Sequence, residues 1–357
     1  MGKKLFLHWS VILPLMAIPL FVFTLIVQQA WLYIPLTFLL IIAVLASVHH
    51  AEVIADKVGE PLGTLILALA VTIIEVSLVI SLMIAGGKST QTLARDTVFS
   101  AVMIILTGIV GLCLLLGGAK YREQSFRRSG VNVALITLTA ILVLTLVLPN
   151  FTTSVPGPQY SAVQLIFVGI ISLILYSAFV WVQTKLHRDY FTAETASANE
   201  EHEQIPTNAA FLSGGLLLLS LVMVVIIAKK LSSPIELLLQ QINAPQTLLG
   251  IIIAMVILLP EGLAAIKAAR KDSLQTSLNL ALGSALASIG LTIPAVAFIC
   301  VFMGLPVVLG IDSKSMLLML LSLFTVALSF ITGKTTVMHG IVLLVIFSVY
   351  IFTVIVP

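Results

Sequence analysis

Residues 246–270 read QTLLGIIIAMVILLPEGLAAIKAAR, a mostly apolar run with a single carboxylate, Glu261, well inside it. Residues 61–86 form a second apolar run of this kind, and it contains Glu75. A helix that spans a bilayer needs about 20 mostly apolar residues, and both runs are long enough. A carboxylate near the bilayer centre costs about 2.5–3.5 kcal/mol, so Glu75 and Glu261 are the first candidates for functional residues.

The composition of the 357-residue chain defines its broad class. Hydrophobic residues make up 60% of the sequence and charged residues 9%, with a mean hydropathy of +1.18. This composition does not provide the polar surface of a soluble protein, so we expect an all-α integral membrane protein. The apolar runs predict about eleven transmembrane helices, at residues 9–29, 31–54, 61–86, 95–118, 131–149, 161–186, 209–229, 246–270, 275–303, 315–333 and 337–356.

Positive charges are distributed unevenly between the predicted loops. The basic residues on one side of the predicted membrane are Lys88, Arg95, Lys229, Lys230 and Lys314, and the rest of the 18 fall on the other side. Because Lys and Arg prefer cytoplasmic loops, we expect an inner-membrane protein with a cytoplasmic N-terminus and an external C-terminus. Topology accounts for the net charge of +3, and we expect no nucleic-acid partner.

A polar, acidic segment divides the predicted helices into two blocks of five. The expected divisions are an extra N-terminal helix at 1–30, a first repeat at 31–186, a cytoplasmic linker at 187–208 and a second repeat at 209–357. A repeat with an odd number of helices enters the membrane from opposite sides in its two copies, as in the inverted repeats of many secondary transporters. Glu75 and Glu261 are then expected on antiparallel helices, each about 17–18 Å into a core about 30 Å thick.

Small, hydroxyl-bearing and helix-bending residues accompany the two glutamates. Pro260 removes a backbone donor, so the carbonyl of Val256 is a candidate cation ligand, with an ordinary helix kink as the alternative. Hydroxyl and small residues on the helix after each glutamate indicate either an ion path or simple helix packing. The supporting residues that we select are Thr72, Ser77, Ser100, Thr107, Val256, Pro260, Gly283, Ser284, Ser288 and Thr292.

Two carboxylates near the middle of a membrane can hold either a metal cation or protons. Hard cations such as Ca²⁺ take six to eight oxygen ligands, which carboxylates, carbonyls and hydroxyls supply. Two neighbouring carboxyls titrate jointly, so cation binding and protonation exclude each other. The pattern predicts a secondary antiporter that exchanges Ca²⁺, Na⁺ or K⁺ for protons, with no cofactor besides its transported ions. The alternatives are a passive cation channel and an intramembrane acid/base enzyme, but we expect no enzyme because a nucleophile motif is absent.

A second group of polar residues ends the second predicted helix. His49, His50 and Glu52 are followed by Asp56. This spacing permits three interpretations, which are a dedicated metal centre, a cytoplasmic entry with pH-sensitive histidines, and a solvated helix end. For the entry, the residues that we select are His50, Glu52 and Asp56.

Around the two glutamates the sequence resembles a known family. The stretches that carry the resemblance are Gly59-Glu60-Pro61-Leu62-Gly63 through Glu75-Val76-Ser77-Leu78, and Leu259-Pro260-Glu261-Gly262-Leu263 through Gly283-Ser284 to Pro294. They are similar to the Ca²⁺/cation:proton exchangers of the cation/Ca²⁺ exchanger superfamily, especially the bacterial ChaA-type sodium/calcium:proton antiporters, and the likeness covers nearly the whole chain. The resemblance implies that Glu75 and Glu261 match the glutamates of two GNxxE-like motifs, which bind Ca²⁺ or protons in that family.

The sequence departs from the family's pattern beside both glutamates. Val71 and Thr72 replace the Gly-Asn of the first motif, and Ile257-Leu258 replaces that of the second. Positions that are often Asn and Gln in the family are here Ile105 and Ala287. A less polar site is therefore expected, which leaves Na⁺ and K⁺ as candidate substrates beside Ca²⁺. The resemblance also implies that the third, fourth, eighth and ninth predicted helices form the site, while the second and seventh slide against them.

Overall fold

The computed structural model describes most of the chain as helix. The described residues are 10, 12, 16, 18–23, 27, 29–58, 62–191, 206–241, 245 and 247–356. Most of the helix predicted at 9–29 lies outside them, as does most of the linker predicted at 187–208.

The described helices follow the predicted apolar runs closely. They are α1 (Tyr33–Val58), α2 (Leu62–Gly86), α3 (Leu93–Tyr121), α4 (Arg128–Phe151), α5 (Ala162–Leu186), α6 (Thr207–Gln241), α7 (Thr247–Ala269), α8 (Leu274–Met303), α9 (Ser313–Phe330) and α10 (Val337–Ile355). Within the described part of the chain, nine of them contain a stretch long and apolar enough to cross a membrane, and α2 contains the shorter apolar stretch Ala68–Ile84. The prediction of a helical, multi-pass membrane protein is confirmed, whereas the count of eleven and the inverted repeat stay predictions.

Two local features differ from the sequence prediction. The first is α6, which continues past the predicted end at residue 229 to Gln241 and includes Pro234. Lys229 and Lys230 interrupt the apolar run, but a helix can continue past charged residues because its backbone hydrogen bonds are internal. The second is a two-stranded antiparallel ribbon of β1 (Glu123–Ser125) and β2 (Lys334–Thr336). Strands of three residues are too short to show a period of two in the sequence.

Side-chain caps fix where two of the helices begin. Ser161 and Gln164 form a reciprocal capping box at the start of α5, in which each side chain accepts a hydrogen bond from the other residue's backbone N–H. Asp312 accepts a hydrogen bond from the backbone N–H of Ser315 at the start of α9. Such caps satisfy donors that the first helical turn leaves open, so they define the helix ends that the loops must meet.

Contacts divide the chain into two compact units. Unit 1 comprises Met1–Thr90 and Asn199–Ala244, and it contains α1, α2 and α6. In unit 1, α1 packs along α6 through a buried apolar cluster, and α2 packs against both helices. The members of this cluster are Leu36, Leu39, Met223, Ile227 and Leu231.

Unit 2 comprises Gln91–Ala198 and Pro245–Pro357, and it contains α3, α4, α5 and α7 to α10. The buried helix α3 packs against α7, α8 and α10. Part of α3, Ile104–Ile109, is wound as a π-helix, a form that often occurs at functional sites. Gly250 of α7 lies so close to α3 that a Cβ there would be 2.9 Å from the carbonyl carbon of Asp96. The absence of a side chain thus permits the close crossing of α7 and α3.

Hydrogen bonds between loops connect each end of unit 2. At one end the buried Gln124 of β1 donates through Nε2 to the carbonyl of Ala269 at 3.0 Å and to Asp272 Oδ1 at 2.9 Å. At the other end, Val308 N–H donates to the carbonyl of Gln91, and Gly310 N–H donates to that of Pro158. Within unit 2, loops predicted on the same side of the membrane therefore meet. Which end faces the cytoplasm stays a prediction.

Candidate functional site

Glu75 lies near the middle of α2 in unit 1 and is deeply buried, with 2% of its surface exposed. Thr72, one turn earlier, is also buried, and its hydroxyl donates to the carbonyl of Ala68 at 2.8 Å. Because a hydroxyl has one proton and two lone pairs, the Thr72 oxygen can still accept a hydrogen bond or contact a cation. Ser77 is half-buried two residues further on. Thr72 therefore shares the Glu75 face of α2, whereas Ser77, two positions away, lies toward the opposite side of the helix.

Glu261 lies on α7 in unit 2 and is half-buried. The next residue, Gly262, packs against α3, where a Cβ would lie 3.0 Å from Ile109 Cδ1. Pro260 lies inside α7, and the helix continues through it to Ala269. Pro260 has no N–H to donate to the carbonyl of Val256, as the sequence predicted. Glu261 thus lies on a proline-containing helix that packs closely on the π-helical segment of α3.

Hydroxyl residues of α8 lie beside this helix in unit 2. Ser288 and Thr292 are buried, while Gly283 and Ser284 are half-buried. α8 packs against both α7 and α3. Of the four helices expected to form the site, unit 2 therefore brings together α3, α7 and α8, and α2 belongs to unit 1.

The two hydroxyls predicted on α3 have different surroundings. Thr107 is fully buried, lies within the π-helical segment, and donates to the carbonyl of Met103. Ser100 donates to the carbonyl of Asp96 and accepts a hydrogen bond of 2.8 Å from the hydroxyl of Tyr350 on α10. Ser100 thus fastens α10 to α3, a contact that the sequence did not predict because the two residues are 250 positions apart.

Sequence reasoning also missed a buried ion pair at the start of α3. Asp96 is 5% exposed, and its carboxylate accepts hydrogen bonds from Arg95 Nε at 2.8 Å and from the Thr92 hydroxyl at 2.9 Å. Arg95 also donates to the carbonyl of Gly310 at 2.8 Å. In the sequence, the available signal was Asp96 at the beginning of an apolar run, but a charged residue at that position is also common at ordinary helix ends. The pair joins α3 to the loop before α9.

The predicted cytoplasmic entry residues do not all lie on one face of α1. His50 is buried, with Nε2 3.1 Å from the carbonyl oxygen of Ser10, whereas Glu52 and Asp56 are exposed. In the described part of the chain, no group of three or more His, Cys, Asp or Glu side chains is arranged to hold a metal ion. The arrangement of His50, Glu52 and Asp56 resembles a helix with one buried and one solvated side.

The family model for the sodium/calcium exchanger protein matches residues 28–185 and 212–356. The chain belongs to this family. The resemblance expected from the motifs around Glu75 and Glu261 is therefore confirmed at the level of the family. Both glutamate helices lie within the matched residues.

Individual relatives of this exchanger family support the assignment. The ionic transporter y4hA of Sinorhizobium fredii is 47% identical over 310 residues, which cover 86% of this chain and 84% of that protein. The sodium-potassium/proton antiporter ChaA of Escherichia coli is 36% identical over 329 residues, which cover 90% of this chain and 89% of that protein. The crystal structure of the H⁺/Ca²⁺ exchanger CAX has the same fold, with a TM-score of 0.71 at 14% identity, covering 99% of this chain and 89% of that chain.

Proposed function

We propose that this exchanger is a secondary antiporter of the inner membrane that moves Na⁺, K⁺ or Ca²⁺ out of the cell in exchange for protons. The observation that carries the proposal is the presence of two carboxylates, Glu75 and Glu261, inside apolar helices of a chain that belongs to the sodium/calcium exchanger family. Intramembrane carboxylates are costly and are typically retained where an ion or a proton must bind.

Each glutamate is assigned the same role in this proposal. A carboxylate can hold either a cation or a proton. A protein that changes between its inward-facing and outward-facing states only with one of the two bound must exchange cations for protons. Thr72 shares the helix face of Glu75, while Ser288 and Thr292 lie on α8, which packs against the helix of Glu261. Their hydroxyl oxygens, with the carbonyl of Val256, are the proposed additional ligands.

Monovalent cations rank ahead of Ca²⁺ as the proposed substrates. The E. coli relative is a sodium-potassium/proton antiporter, and its similarity extends along nearly the whole chain. The H⁺/Ca²⁺ exchanger CAX shares the fold at 14% identity, which supports the architecture and not the cargo. Thr72 and Leu258 stand where the family's motifs have Asn, so two side-chain amide oxygens that could bind Ca²⁺ are missing beside the glutamates.

Transport by inside-out vesicles tests the function directly. Vesicles that contain the protein and a pH-sensitive dye are given a proton gradient, and Na⁺, K⁺ or Ca²⁺ is then added separately at several pH values. An antiporter collapses the gradient only when its own cation is added, with Na⁺ or K⁺ giving the larger response. Cation flux without proton movement would instead indicate a passive channel and would contradict the proposal.

A further inference from the structure

One end of unit 2 has a large excess of positive charge. In the described part of that end, the exposed basic residues are Lys120, Arg122, Arg127, Arg128, Lys185, Arg188, Lys267, Arg270, Lys271 and Lys334. The acidic residues described there are Glu123, Asp189 and Asp272. At the opposite end of unit 2, Arg95 and Lys314 are balanced by Asp96 and Asp312. The excess belongs to the end that the sequence places in the cytoplasm.

Four of these cations flank the contact between the start of α4 and the segment after α5, and we call them the α4–α5 basic cluster: Arg127, Arg128, Lys185 and Arg188. Arg127 donates through its guanidinium to the carbonyl of Asp189 at 2.6 Å, which holds the start of α4 against the segment after α5. Arg128 donates to the carbonyl of Ile331 at 3.2 Å. Lys185 in the last turn of α5 and Arg188 just after this helix are both exposed. The folded chain therefore concentrates charge that is separated by almost 60 positions in the sequence.

Exposed aromatic rings accompany the α4–α5 basic cluster. Trp181 lies one turn before Lys185 and is 57% exposed. Tyr190 is also exposed, and its ring is stacked on that of His187, with centroids 4.6 Å apart. Trp and Tyr are enriched at the depth of the lipid headgroups because their rings have an apolar body and a polar edge. This end of α5 thus has the composition of a membrane interface.

An exposed apolar strip on α5 continues from these rings. Val163, Phe167 and Ile174 are 79%, 62% and 56% exposed. In a membrane-spanning helix, such a surface faces lipid chains. The basic cluster therefore lies at the end of a strip that can accommodate an acyl chain.

We propose that the α4–α5 basic cluster binds the phosphate headgroup of an anionic phospholipid whose acyl chains lie along α5. Arginine presents several N–H donors that fit phosphate oxygens, and basic pockets at the cytoplasmic ends of membrane helices bind such headgroups. The preference of basic residues for the cytoplasm accounts for the sign of the charge. It does not account for the contact that joins the basic start of α4 to the basic end of α5, which the hydrogen bond from Arg127 to the carbonyl of Asp189 provides.

The cluster is connected by hydrogen bonds to α8. The side chain of Gln275 accepts a bond of 2.7 Å from the backbone N–H of Arg127, and Asn279 donates to the carbonyl of Phe191 at 2.5 Å. α8 also carries Ser288 and Thr292, two of the proposed ion ligands. A bound lipid is therefore expected to change the exchange rate. This effect on the rate rests on the proposed function, whereas the binding of the lipid is independent of it.

Fluorescence of Trp181 measures the binding. The chain has three tryptophans, so the substitutions Trp9→Phe and Trp31→Phe leave Trp181 as the reporter. The full-length protein is placed in phosphatidylcholine vesicles with a small fraction of brominated phosphatidylglycerol or, in a parallel sample, brominated phosphatidylcholine. Bromine quenches a nearby indole, so we expect brominated phosphatidylglycerol to quench Trp181 at a several-fold lower mole fraction.

A matched pair of variants separates a lipid site from general surface charge. Lys185→Gln with Arg188→Gln removes two cations of the cluster, and Lys267→Gln with Lys271→Gln removes two exposed cations at the end of α7. In the first variant, the preference for phosphatidylglycerol over phosphatidylcholine is expected to fall about fivefold per cation removed. The second variant is expected to keep this preference. Equal losses in both variants would show diffuse attraction only and would overturn the proposal.

Two further outcomes would also overturn it. Quenching that is equal for both brominated lipids would show that the cluster does not select anionic headgroups. Displacement of phosphatidylglycerol by inorganic phosphate, compared with chloride at the same ionic strength, would identify a soluble anion as the ligand. Circular dichroism of both variants confirms that they remain folded, so a lost preference reflects the missing cations.

Discussion

The two units that contain the glutamates differ in the contacts described between their elements. In unit 1, which contains Glu75, α1 and α6 pack through aliphatic side chains such as Leu36 and Ile227. In unit 2, which contains Glu261, hydrogen bonds between distant loops join both ends of the helices. Apolar contacts have no preferred direction and permit small sliding movements, whereas hydrogen bonds fix both distance and angle. We therefore predict that unit 1 deforms more readily than unit 2.

The largest expected effect concerns the crossing of α3 and α7 in unit 2. Gly250→Ala places a Cβ 2.9 Å from backbone atoms of α3, which cannot move aside as a flexible side chain can. We expect a loss of about 3 kcal/mol in stability, measured as a lower thermal unfolding midpoint in detergent.

Gly214→Ala on α6 in unit 1 is the matched control for this substitution. Apart from its chain neighbours and nearby backbone of its own helix, no heavy atom of the described residues lies within 4 Å of the position that its Cβ would occupy. Because alanine favours the helix over glycine, this variant is expected to gain about 0.5–1 kcal/mol. Equal destabilisation by the two substitutions would refute the difference in packing between these positions.

A second prediction compares a directional contact with an apolar one through substitutions that keep the volume similar. Gln124→Met in unit 2 removes the hydrogen bonds to Ala269 and Asp272, so we expect a loss of about 2 kcal/mol. Leu36→Met in unit 1 retains an apolar side chain and is expected to lose about 1 kcal/mol or less. Thermal unfolding midpoints of the two variants check the order, and the reverse order would contradict the comparison.

The smallest expected effect is the pH dependence of the cap on α9. Burial favours a higher pKa for Asp312, but hydrogen bonds from Ser315 and the charge of Lys314 outweigh it and lower the pKa below its usual value of about 4. A lowered pKa in the folded state adds stability that is present above about pH 4 and is lost as the pH falls through the folded-state value.

Asp312→Asn keeps a capping side chain and removes the charge. Above about pH 4, the substitution is expected to lower stability by less than about 1 kcal/mol. The difference between the variant and the original protein should shrink as the pH falls below about 4. A difference that is constant from pH 7 to pH 3 would show that the charge of Asp312 does not contribute.

Local patterns predicted the helices well because a membrane helix depends mainly on length and apolar content. The run predicted at 275–303 is observed as Leu274–Met303, and both glutamates lie on helices as expected. The contacts that organise unit 2 were not predictable in this way. The hydrogen bond between Ser100 and Tyr350 joins distant residues, and the pairing of β1 with β2 leaves no periodic signal in three residues. His50 and Glu52 are two positions apart, so a helix places them on different sides, but only the structure shows that the His50 side is the buried one.

The central claim is that Glu75 and Glu261 carry the exchanged cation or proton, and the most direct test is cation-driven proton movement in vesicles containing Glu75→Gln or Glu261→Gln. Glutamine keeps the size of the side chain but can neither bind a proton nor carry negative charge at neutral pH. Glu123→Gln removes an exposed carboxylate of β1 and is the control for the loss of one acidic residue. We predict that both intramembrane variants fold normally and fall to the background of protein-free vesicles, while Glu123→Gln retains exchange. Full exchange by either Glu75→Gln or Glu261→Gln would contradict the claim.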